Sequence, residues 1–230
     1  MLVFEGRFSA RCKDATPNPQ VWLDLACGPS FAMYLTELST KATQKGLTTL
    51  LDCLPPETCG GIWADLCSGN GLGAIGACWP KSIDLLHIDC NDNQMMLRHG
   101  RLAWIFKDRD NSDDRATACQ RADAYIKENF VVADVRNLAI NSVGISDRLP
   151  VSQFQGALLL NPPGEPDVID AALKFASLTL VAGSPLAILT DPSDTDNVQL
   201  IRDGCNQLFG RHDVYEQVAG QAMLGILAIK

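Results

Sequence analysis

The chain has 230 residues, 47% hydrophobic and 20% charged, with a formal net charge of −8. That length and balance fit one α/β domain with a modest extension and exclude a disordered or low-complexity chain. An acidic surface repels phosphate backbones on average, which disfavours RNA or DNA as a partner, and no apolar run approaches the roughly 20 residues of a membrane span.

The opening residues, MLVFEGRFSARCK, carry no basic head before a long apolar stretch and do not read as a secretory signal. Nine cysteines, with no C-x-x-C pair and no histidine at zinc-ligand spacing, read as free thiols of a cytoplasmic protein, with no metal site. Residues 2–11 suit a short hairpin about Gly6, and 12–30 an irregular segment. Residues 31–54 have apolar residues at helical spacing, with a break expected at Gly46.

From Ile62 the pattern alternates. Apolar runs at Ile62–Leu66, Ser82–Ile88, Phe130–Ala133, Gly156–Leu160 and Pro185–Thr190 read as strands. Helical stretches lie between them at Leu72–Trp79, Asn93–Phe106 and Val168–Val181, and Val198–Phe209 follows. Asp213–Val218 and Leu224–Ile229 look like a closing strand pair. Such alternation predicts a parallel sheet covered on both faces. Residues 107–128 are densely charged and break the rhythm. They read as an inserted loop with a short exposed helix near Ala116–Ile126, either a solvated excursion or a lid.

The segment Asp65-Leu66-Cys67-Ser68-Gly69-Asn70-Gly71 ends a strand in an acid and a glycine-rich turn, and a helix follows. In open α/β sheets ligands bind at the carboxyl ends of the strands. Gly69 and Gly71 allow positive φ and close backbone approach. The following helix start favours a carboxylate, while Asp65 favours a cation and would repel a pyrophosphate. A ligand carrying both an ammonium and a carboxylate suits this mixture. Two other patterns lie nearby. Gly71-Leu72-Gly73-Ala74-Ile75-Gly76 matches the dinucleotide fingerprint but begins late for a tight turn; its alternative reading is helix packing. Asp24–Ser30 resembles the start of the same turn without its later glycines and reads as a surface turn.

Asp89, at the end of the second strand, can accept from both hydroxyls of a ribose, with Asn91 assisting or capping the next helix. Asp134, after the third strand, can accept from an adenine amino group while Val135 packs on the ring; its alternative is a plain loop carboxylate. Asn161-Pro162-Pro163 follows the fourth strand. The two prolines fix the backbone and hold Asn161 out of helical geometry, presenting its side chain at the sheet edge. A planar or primary amine could donate hydrogen bonds there.

Taken together, the turn Asp65–Gly71 resembles the first motif of class I S-adenosylmethionine-dependent methyltransferases, and Asn161-Pro162-Pro163 resembles their Asn-Pro-Pro-aromatic motif. The combination is similar to the glutamine methyltransferases of release factors and ribosomal proteins and to the ribosomal RNA guanine methyltransferases. The resemblance implies a Rossmann-like, doubly wound, mostly parallel seven-stranded sheet with a final antiparallel strand. It divides the chain into an N-terminal extension over 1–54 and a methyltransferase domain over 55–230. It implies that S-adenosyl-L-methionine is held by Asp65, Cys67, Gly69, Asn70 and Gly71 at its methionine end. Asp89 and Asn91 would hold the ribose, Asp134 and Val135 the adenine, and Asn161, Pro162 and Pro163 the acceptor nitrogen. The family's aromatic is Gly164 here, so a planar base or amide loses its clamp unless Phe8, Phe31 or Tyr34 supplies one. A small molecule or a peptide is therefore the expected acceptor, with RNA guanine or adenine as the alternative. Two other classes compete: a nicotinamide-dependent oxidoreductase using the overlapping fingerprint, and a non-catalytic module that binds the donor.

Overall fold

The structure is a computed structural model of the chain; it describes residues 29–69, 71–90, 102–103, 106, 115–140, 153–215 and 223–230. Seven strands are formed: β1 Gly61–Leu66, β2 Ile83–Asp89, β3 Phe130–Val132, β4 Gly156–Leu160, β5 Pro185–Thr190, β6 Arg211–Tyr215 and β7 Leu224–Ile229. They make one sheet in the order β3-β2-β1-β4-β5-β7-β6. β1 to β5 pair in parallel, and β7 runs antiparallel between β5 and β6. The strands are short apolar runs such as Gly156–Leu160 and Pro185–Thr190, almost wholly buried, as a sheet covered on both faces requires.

Helices α1 Pro29–Asp52, α2 Leu72–Cys78 and α3 Arg115–Asn129 supply one covering layer; α4 Val135–Ile140, α5 Pro166–Thr179 and α6 Thr195–Leu208 supply the other. Under α1 and α2 the core contains Leu47, Leu50, Leu51, Trp63 and Ile75, all fully buried. Each such aliphatic side chain is worth about 1.5–3 kcal/mol of transfer free energy. Under α5 and α6 it contains Ile169, Phe175, Ile188 and Ile201.

Two expectations are corrected. Helix α1 passes through Gly46 without a break, because a Cβ there would stand 3.3 Å from Leu189 Cδ1 and the missing side chain lets the helix lie against β5. Residues 115–129 are not an exposed excursion. They form α3, whose Ala118, Ala122 and Ile126 repeat at four-residue spacing and are buried, with the charges on the outer side. The rest of the charged stretch, 107–114, lies outside the described residues, as do the expected hairpin and most of the helix expected over 93–106; of the expected Asp24–Ser30 turn, 24–28 lie outside them, while Pro29 and Ser30 begin α1. Of the expected helix, Leu102, Ala103 and Phe106 are described and buried.

Candidate functional site

The strand order reverses between β1 and β4. The chain moves outward through β2 and β3, then returns to place β4 on the other side of β1. Such a switch point opens a crevice at the carboxyl edge. Leu66 pairs with Leu159 in register, so the turn after β1 and the corner after β4 begin side by side.

The turn has positive φ at Cys67 (54°), Gly69 (54°) and Gly71 (67°). It is closed by the Gly71 N–H donating to the Ser68 carbonyl (2.8 Å) and fastened to β2 by the Ser68 N–H donating to the Ile88 carbonyl (3.1 Å). The Gly69 N–H donates to Asp89 Oδ2 at 2.7 Å, drawing the acid at the tip of β2 up to the turn. A Cβ built on Gly69 meets nothing within 4 Å among the described residues, so this side of the turn is open to them. The buried Ser68 Oγ has no hydrogen-bond partner among the described residues. Open space over a glycine, an acid beside it and a hydroxyl with unused capacity fit a nucleoside bearing an amino-acid tail. Burial, with Asp89 adding to it, pushes the Cys67 thiol up to about 12, so Cys67 packs as a small apolar residue and not as a thiolate.

Asp65 does not stand on the open face of the turn. It follows the pleat of Trp63 into the layer under α2, is 1% exposed, and meets His87 Nδ1 through Oδ2 at 2.7 Å. His87 is itself fully buried, stacked on Phe130 at 4.1 Å between ring centroids, with Nε2 3.3 Å from the Tyr125 hydroxyl. The Gly71 backbone rests on this imidazole.

At the tip of β3, both Asp134 oxygens accept from Arg136: Nε at 3.0 Å to each, and Nη2 at 2.7 Å to Oδ2. The Arg136 side chain beside it holds the Asp134 carboxyl below the usual range. Arg136 Nη1 also donates to Asp167 at 2.9 Å, tying the start of α4 to the start of α5. Asp134 is thus engaged with protein. Val135 is 4% exposed and packed in the core, which leaves it little surface for a ring. Asn70 and Asn91 lie outside the described residues.

Asn161 leaves β4 with φ of 49°, its N–H donating to the Leu189 carbonyl at 2.8 Å. Asparagine tolerates this left-handed conformation better than most residues. Its Nδ2 donates to Thr43 Oγ1 of α1 at 3.2 Å, which turns Oδ1 into the group available to accept. Pro162 is buried, and Pro163 and Asn161 are exposed. Gly164 leaves this corner without an aromatic. The side chains of Phe31 and Tyr34 on α1, and all of Phe8, lie outside the described residues.

The fingerprint glycines of the rival pattern do other work. A Cβ on Gly73 would stand 2.9 Å from Thr43 Cγ2, and one on Gly76 2.6 Å from Gln44 Cδ. The second glycine of a dinucleotide site must face the pyrophosphate; here it faces a protein helix. These glycines admit α1 rather than the sheet.

Sequence reasoning missed Thr43, His87, Tyr125 and Arg136. His87 had a signal, a titratable residue within the apolar run Leu85-Leu86-His87-Ile88. Thr43 had none, since its partner lies 118 positions away.

No family model and no curated protein matches the chain. Among solved structures, the chain is similar to a predicted O-methyltransferase of Agrobacterium tumefaciens, at 16% identity and a TM-score of 0.56, over 82% of this chain and 80% of that one. It is also similar to a protein from Nostoc punctiforme PCC 73102 titled as a candidate O-methyltransferase, at 10% identity and a TM-score of 0.55, over 92% of this chain and 60% of that one. At such identities the likeness shows the fold alone, a Rossmann-like α/β sheet shared with these two structures.

Proposed function

We propose that the chain transfers a methyl group from S-adenosylmethionine to a nitrogen of a small molecule or of a protein or peptide. The observation that carries this reading is the Gly69 N–H to Asp89 hydrogen bond. It sets a hydroxyl-binding acid against an open glycine turn at the switch point of the sheet. Asp89, whose Oδ2 is anchored by the turn, would hold the ribose. Gly69, Ser68 and Gly71 would hold the amino-acid tail, with the buried Asp65 charge beneath favouring its ammonium. The bound donor supplies a methyl group on a sulfonium.

The acceptor end is carried by Asn161. Thr43 Oγ1 accepts from its Nδ2–H, which leaves Oδ1 to accept from an incoming N–H and to aim the nitrogen lone pair across the crevice toward the turn. Catalysis is then chiefly alignment of nucleophile and methyl. The acidic charge and the absence of an aromatic at Gly164 favour a small or peptide amine over RNA.

Calorimetry with S-adenosylmethionine and NADH tests this. The wild type binds the first and not the second. Asp89→Ala weakens binding about tenfold or more, as loss of a charge-assisted hydrogen-bond acceptor should, while Asn161→Ala binds the donor like the wild type. Failure of the wild type to bind S-adenosylmethionine, or undiminished affinity in Asp89→Ala, overturns the reading.

A further inference from the structure

Beneath the glycine turn, Asp65 ends a line of polar side chains whose other members, Tyr125 and His87, the proposed chemistry does not itself use. The Trp79 and Tyr125 rings meet edge to face at 5.7 Å. Tyr125 Oη is 3.3 Å from His87 Nε2, and His87 Nδ1 is 2.7 Å from Asp65 Oδ2.

The direction of this line follows from the chemistry of its Asp65 end. A carboxylate only accepts. His87 Nδ1–H therefore donates to Asp65, which leaves Nε2 to accept from the Tyr125 hydroxyl. An imidazole that accepts at Nε2 donates from Nδ1. Every proton in the line thus points at Asp65. The phenol is suited to this. Burial, with the Asp65 charge adding to it, pushes Tyr125 above its ordinary range, so it keeps the proton it must give. Phe130 stacks on the ring from one side. The Gly71 backbone closes the other side, since a Cβ there would stand 2.7 Å from Nδ1.

We infer that Tyr125 and His87 form a one-way hydrogen-bond relay that holds Asp65 as an oriented anion under the turn, making them positioning residues for the cationic amino-acid end of the methyl donor. The inference rests on the donor assignment above. A buried carboxylate is costly to keep charged unless donors are aimed at it. With the Nδ1–H in place the charge persists 1% exposed, and its field acts on the turn from below through a poorly screened medium. With that donor removed, the buried carboxylate loses the hydrogen bond that offsets its burial, and its attraction for an ammonium is weakened. The attraction for the nucleoside, held at Asp89, is not.

The test compares S-adenosylmethionine with 5′-methylthioadenosine, which lacks both the amino-acid tail and the sulfonium charge; S-adenosylhomocysteine, a neutral thioether that keeps the tail, separates the two effects and is expected to follow S-adenosylmethionine. Calorimetry, with displacement titration for the weaker ligand, is run on the wild type, Tyr125→Phe, His87→Leu and His87→Asn, with melting curves confirming the fold of each. His87→Leu is expected to lose about tenfold or more in affinity for S-adenosylmethionine, with methylthioadenosine changing less than about twofold. His87→Asn places an amide N–H near the position of Nδ1–H and restores most of the loss. Tyr125→Phe, which removes a single oxygen and keeps the ring packing, falls between. Equal losses for S-adenosylmethionine and methylthioadenosine, or full affinity for S-adenosylmethionine in Tyr125→Phe and His87→Leu, overturn the relay. A wild type that binds none of the ligands overturns the donor assignment itself.

Discussion

Gly71 is the residue on which the turn is most exposed to change. Its φ is 67°, and a methyl group added to it would stand 2.7 Å from His87 Nδ1, an atom already committed to Asp65. An L-residue there meets two costs, left-handed backbone and displacement of a buried ring, together about 1–3 kcal/mol. Gly71→Ala is therefore expected to lower the urea midpoint and to weaken S-adenosylmethionine binding as well. A variant with wild-type midpoint and affinity would show that the ring gives way freely. Gly69, with a similar φ and open space around its missing side chain, carries only the first cost. The sequence makes both glycines conspicuous as a turn. It does not reveal that one lies over a histidine, because the contact joins two strands.

At the scale of elements, the strands and the later helices were legible from apolar runs and turn residues. β4 and β5 have the bounds their sequence runs suggest, and α5 begins at Pro166, just ahead of the periodic apolar stretch. What was not legible was contact between elements. The glycines at 73 and 76 resemble a ligand fingerprint in sequence, and only the position of α1 shows that Thr43 and Gln44 fill the space they leave. Likewise α3 hides its buried alanines among charges, and Asp134 reads as a ligand carboxylate until Arg136 is seen to hold it. That guanidinium joins the loop after β3 to the start of α5 through Asp134 and Asp167. Both acids titrate below their ordinary range, so the stabilisation is present above the usual carboxylate pKa and is lost as pH falls through the lower folded value. Arg136→Met is expected to melt below the wild type at about pH 6, with the gap closing in acid and in about 1 M salt. A gap unaffected by either would assign the difference to packing of the side chain and not to its charge.

For the molecule as a whole, the order β3-β2-β1-β4-β5-β7-β6 puts the glycine turn, Asp89 and Asn161 along one edge on strands that are neighbours in space, although nearly a hundred residues separate the turn from Asn161. Residue types at strand ends made this edge readable as a candidate site before its geometry was known. The layer beneath it, where a buried acid meets a histidine and the histidine a tyrosine, was not readable, since each member is an ordinary core residue in its own segment. The account's central claim is that a sulfonium nucleoside spans this edge. A crystal structure with S-adenosylhomocysteine tests it most directly. The account predicts the ribose hydroxyls on Asp89, the amino-acid tail over Gly69 and Gly71, and the sulfur facing Asn161. A ligand seated elsewhere, or its tail turned away from the glycine turn, would contradict it.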